Sequence, residues 1–151
     1  MSNLHKFQPQ FILLAEAGFI AVNQGDEDAA LKLFKAAELL EPKNPLPRLG
    51  LGYMHFCKLE LKQAVSIFDK ILEEDPQNEM AQTLKGLSLA LNPSEITKGE
   101  KVLEETAKHA QSPEVQNLAK TALEFVERFV KKSPSPAQVQ SSSKSPKKKG
   151  R

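Results

Sequence analysis

The chain has 151 residues, 40% hydrophobic and 26% charged, a balance that suits one folded domain and excludes a wholly disordered chain. Its net charge of +2 is unevenly placed, because residues 133–151 hold five basic residues and no acid, which leaves −3 on residues 1–132. The longest apolar run, Phe11 to Ala15, stops at Glu16, far short of the ~20 residues of a membrane span. The same glutamate interrupts the one N-terminal stretch that could serve as a signal-peptide core. The single cysteine, Cys57, excludes an internal disulfide and a Cys-rich metal site. A reducing cytoplasm is the expected setting, with no membrane insertion.

Seven helices are expected, at about 9–24, 27–40, 45–58, 61–74, 79–91, 95–110 and 114–131. The first carries Gly18 at its middle, where a side chain would hold a neighbouring helix away. Gly25 then supplies a left-handed C-cap, and Asp26 can cap the second helix. There, Ala30 permits close approach, Phe34 fills the space one turn later, and Pro42 ends the helix. The marks return 34 residues on, as Gly52, Ala64, Phe68 and Pro76, with Asn78 following Asn44. Leu59-Glu60 stands where Gly25-Asp26 stood. Gly86 continues the period in the fifth helix, and Asn92-Pro93-Ser94 forms the next turn, with Ser94 the expected N-cap. The sixth helix (Ile96, Gly99, Val102, Leu103, Thr106, Ala110) fits the period only with a one-residue insertion. Pro113 opens the last, with Val115, Leu118, Ala119, Ala122, Leu123, Val126 and Phe129 on one face. That face can cover the end of a stack of repeats. Residues 133–151, SPSPAQVQSSSKSPKKKGR, are expected to be disordered.

A period of 34 with glycine, alanine, aromatic and proline at these places closely resembles the tetratricopeptide repeat family. The resemblance implies an all-α helix–turn–helix solenoid of three repeats, at about 11–44, 45–78 and 79–112, with a capping helix at 114–131 and a basic tail at 133–151. The large residue usual at the fourth position reads Leu14, Arg48 and Gln82, a departure from the pattern.

The first helices of the repeats carry an apolar stripe. At ~100° per residue, Leu46, Leu49, Tyr53 and Phe56 fall in one narrow arc, opposite Gly52. The same spacing places Ile12, Ala15, Phe19 and Val22 together, and Met80, Thr83, Leu87 and Ala90 with Leu91 beside them. In the family these positions line the concave binding face. The stripe then reads as a groove for an apolar helix or strand of another protein. The plainer alternative is that residues 1–10, the terminal helix or a second copy covers it. Chaperone-tail binders of the family present Lys, Asn and Arg here, whereas this chain has Ala15, Phe19, Tyr53, Met80 and Leu84, so the client is expected to be apolar or amphipathic.

No catalytic site, cofactor or metal site is expected. His5, His55 and His109 lack metal-site spacing, and His55 reads as a half-buried imidazole. Cys57 reads as a small apolar filler. A three-repeat chain with an apolar cup resembles the export chaperones of bacterial type III secretion, which serve protein transport and virulence. The short N-terminal segment is most like the needle-subunit group, where the resemblance implies a second small co-chaperone. Two alternatives remain: a translocator chaperone, or a eukaryotic adaptor whose Ser145-Pro146-Lys147-Lys148 tail serves nucleic-acid contact or nuclear import. The acidic body makes nucleic acid a poor partner for residues 1–132.

Overall fold

Helix starts are set by side chains that satisfy the first unpaired amides. Asp26 accepts from the N–H of Ala29 at 3.0 Å, Asn78 from Ala81 at 3.0 Å, and Ser112 from Val115 at 3.4 Å just before Pro113. In this computed structural model, which describes residues 8–132, the helices are α1 (Gln8–Asn23), α2 (Glu27–Leu40), α3 (Leu46–Cys57), α4 (Leu61–Glu74), α5 (Glu79–Ala90), α6 (Ile96–His109) and α7 (Pro113–Phe125). A π-helical stretch, Val126–Lys131, continues α7. No strand occurs among the described residues. The fold is an all-α helical repeat solenoid. Residues 1–7, with His5, and the tail expected to be disordered lie outside the described residues.

Ser94 does not cap α6. Asn92 Oδ1 accepts from both the backbone N–H and the hydroxyl of Ser94, at 3.3 and 3.0 Å, and this local turn moves the helix start to Glu95–Ile96. The turn after α3 follows the one after α1 in backbone although its sequence differs. Gly25 has φ +75°, and Leu59 at the matching place has φ +58°. A left-handed leucine is strained, and its side chain, 70% exposed, gains little from packing. Leu59→Gly is therefore expected to stabilise the protein by about 0.5–1 kcal/mol, because relief of strain exceeds the added freedom of the unfolded chain. A thermal melt followed by circular dichroism reads this as a rise of a few degrees.

The 34-residue marks form the core. The Phe34 ring lies where a Cβ on Gly18 would stand, and on its other side where a Cβ on Gly50 would stand; Phe68 does the same at Gly52. In the third repeat, Leu103 and Val102 take the place of the ring against Gly86, while Gly99 lies on the backbone of Ala90. Phe34, Phe68 and Leu103 are fully buried. The one-residue insertion before α6 is visible in this set, since Gly99, Leu103 and Thr106 are its buried residues.

α1, α3, α5 and α7 form one layer and α2, α4 and α6 the other. Neighbours within the first layer touch, whereas α2, α4 and α6 do not approach each other as closely. The stack therefore curves with the first layer on its inner side.

α7 keeps the register of the helices before it. Pro47, Ala81 and Val115 form one buried column 34 residues apart, and Met54, Ser88 and Ala122 another. Each receives the preceding repeat. The packed face of α7 differs from expectation at Leu118, which is 37% exposed, and at Phe129, which is also exposed. The π stretch explains the second. It turns through fewer degrees per residue than the ~100° of an α-helix, so Phe129 falls behind the buried arc and Val130 takes its place beside Ala90, Leu103 and Val126. Lys131 then reaches Glu100 at 2.6 Å.

Candidate functional site

The inner layer presents a row of aromatic and aliphatic side chains. It starts in the core, where Phe34 meets Phe19 edge-on with ring centroids 5.2 Å apart. It continues outward from Phe19 to Tyr53 at 6.0 Å and from Tyr53 to Phe56 at 6.4 Å. Phe19, Tyr53 and Phe56 are half-buried, as are Leu46, Leu87 and Leu91, while Ile12 and Met80 are exposed. Tyr53 donates its hydroxyl proton to Asn23 Oδ1 at 3.0 Å, which ties α3 to α1 and fixes the ring. Interaction with the Cys57 thiol, and then partial burial, hold the Tyr53 hydroxyl above the ordinary phenol pKa, so it is neutral at physiological pH.

Three residues of the expected stripe do not line this surface. Ala15, Val22 and Leu49 are buried, with Leu49 only 7% exposed. Ala15, Leu49 and Thr83 stand 34 residues apart on the seam where successive inner helices touch. Leu49 packs with Ala64, Phe68, Ile71 and Ala81, and Val22 with Ala30, Phe34 and Met54. The sequence arc placed them with Tyr53 because it measures rotation about one helix and not distance to the next.

One residue of the surface was missed. The step from Cys57 to Leu91 continues to Phe125 on α7, which is 45% exposed and has its ring 5.1 Å from that of Phe129. Extending the 34-residue count past residue 112 was the available signal. Cys57 is an exposed free thiol rather than an apolar filler, because the last turn of α3 reaches the rim of the inner face.

Charges frame the row without entering it. Arg48, at the place where the repeat pattern has a large apolar residue, forks onto Glu74 of α4 with two 2.8 Å hydrogen bonds, and this bond holds the Glu74 carboxyl below its ordinary pKa. Lys85 pairs with Asp69 at 2.6 Å and Lys58 with Glu27 at 2.9 Å, each joining adjacent helices of the stack. His55 is half-buried and paired with Glu60 at 2.5 Å. The bond to His55, and next that to Lys58, lower the Glu60 pKa. Among the described residues, no group of three His, Cys, Asp or Glu side chains could hold a metal ion. No described helix is long and apolar enough to cross a membrane.

Residues 21–87 match the family model for the tetratricopeptide repeat. A TPR repeat-containing protein of Methanocaldococcus jannaschii is 31% identical over 75 residues, which are 50% of this chain and 13% of that protein. The chain thus spans only about an eighth of the curated relative it matches. No solved structure matches the chain.

Proposed function

Because residues 21–87 carry tetratricopeptide repeats, we propose that this chain is a protein-binding chaperone or adaptor, not an enzyme, whose inner face holds an amphipathic helix of a client. The observation that carries the reading is the uncharged row Phe19, Tyr53 and Phe56, flanked by Ile12, Leu46, Met80, Leu87 and Leu91. Inner helices packed about 8–10 Å apart match a client helix that rises about 10 Å in seven residues. A client of about 20 residues with apolar side chains at seven-residue intervals can therefore set one anchor against each inner helix. Four to six half-exposed side chains, at roughly 1.5–3 kcal/mol each for full burial, offer a gross gain of order 10 kcal/mol. Association and ordering costs reduce it to a tight but reversible complex.

The specific client we favour is the filament-forming needle subunit of a type III secretion apparatus, with a small co-chaperone as a further partner in the cytoplasm. Covering the apolar face of its terminal helix would block polymerisation by exclusion. The test is needle-subunit polymerisation followed by light scattering. Equimolar chain should suppress growth, and Tyr53→Asp should restore it, since the complex would bury an unpaired carboxylate. The variant itself should lose only about 1–2 kcal/mol of stability, for one hydrogen bond and a half-buried ring. Full suppression by a folded Tyr53→Asp chain would remove the inner face as the site.

A further inference from the structure

α1 is apolar on two sides. Its inner side, Phe11, Ala15, Gly18 and Val22, is buried. Its outer side exposes Leu13 (64%) and Ile20 (56%), with the half-buried Ala17 between them. Glu16 is the one charged residue among its 16. A helix of this kind belongs between two neighbours, yet α2 and α3 both lie on its inner side.

The register shows what the outer side is. Leu13 heads the column Pro47, Ala81, Val115, and Ile20 heads the column Met54, Ser88, Ala122. All six followers are buried because a preceding repeat packs there; Leu13 and Ile20 face outward at the end of the stack. A further repeat of the same kind is a poor occupant. Between the columns, Gly50 lies against the Phe34 ring with no room for a Cβ, and the matching residue in α1 is Glu16, whose carboxylate would be buried unpaired. The far end of a second copy fits no better. α7 exposes Lys120, Glu124, Glu127 and Arg128 there, and head-to-tail stacking does not close.

The stripe complements itself. Two α1 helices laid antiparallel about a dyad at Glu16–Ala17 set Leu13 of one copy against Ile20 of the other, twice. The small Ala17 at the centre lets the helices approach, and Glu16 remains at the wet edge. We propose that the outer stripe of α1 is the interface of a twofold homodimer. This does not rest on the groove reading, because it uses the opposite side of α1. So short a stripe buries less than the ~800 Å² per partner of a standard interface, so dissociation in the micromolar range is expected. Screening of the two Glu16 carboxylates by salt should tighten the dimer.

Sedimentation equilibrium of the full chain across micromolar concentrations tests the proposal. A monomer–dimer equilibrium is expected, weakened about a hundredfold or more by Leu13→Glu or Ile20→Glu and unchanged by Leu39→Glu, a control residue 76% exposed on α2. Melting temperatures should not fall, as all three side chains are exposed. In a Cys57→Ser background, a short bismaleimide should link Ala17→Cys chains in pairs and leave Leu39→Cys chains single. A chain that stays monomeric without cross-linking, as it would if a different protein covers this face, overturns the proposal. So does a dimer that both glutamates leave intact.

Discussion

Gly52→Leu is expected to leave the chain largely unfolded. The Phe68 ring occupies the place of the first added carbon, and that ring is itself fully buried among Leu49, Ala64, Ile71 and Ala81. Neither partner can turn aside, so α3 and α4 must separate along their whole contact. Overpacking of this kind costs about 1–3 kcal/mol when the neighbours can shift, and more where a ring is displaced from a closed core. The better helix propensity of leucine returns only about 1 kcal/mol. Against a total stability of about 5–15 kcal/mol, a net loss of several kcal/mol removes most of the folded population at physiological temperature. Urea titration followed by helical circular dichroism should show the midpoint collapse. An unchanged midpoint would mean that the contact between α3 and α4 is not the close one described.

Leu49→Glu is expected to be nearly as damaging, whereas Tyr53→Asp, one turn away, is not. Leu49 is 7% exposed on the seam between inner helices, so the substitution deletes apolar packing and buries a carboxylate without a partner, together about 3–5 kcal/mol. Tyr53 stands at the open side with its hydroxyl on Asn23, where an aspartate remains in water. Parallel urea titrations should therefore separate two residues of one sequence stripe into a folding position and a surface position. Equal tolerance of both charges would place Leu49 on the surface and return it to the groove.

Most of the fold was legible because its determinants are local and repeated. Gly18, Gly52, Phe34 and Phe68 are each explained by one contact within a repeat, and their 34-residue spacing announces it. The seven helix positions follow from the same marks and from Asp26, Asn78 and Ser112 as caps. What was not legible depends on competition or on neighbours beyond the helix. Asn92 outcompetes the backbone of α6 for Ser94. The π winding after Phe125 exchanges Phe129 for Val130 in the core. The seam that takes Ala15 and Leu49 out of the binding surface exists only once α1, α3 and α5 are stacked. Phe125 was missed because α7 was read as a cap, although it keeps the register of an inner helix.

The central claim, that the inner layer receives an amphipathic helix, is tested most directly by the NMR signals of the side chains themselves. The chain would be titrated with a synthetic amphipathic helix of about 20 residues carrying apolar anchors at seven-residue intervals. The expected result is saturable shifts in the rings of Phe19, Tyr53 and Phe56 and the methyl groups of Met80, Leu87 and Leu91, with the exposed Leu31 and Leu39 of α2 unmoved. Shifts confined to Leu31 and Leu39, with the inner rings unchanged at saturation, would contradict it.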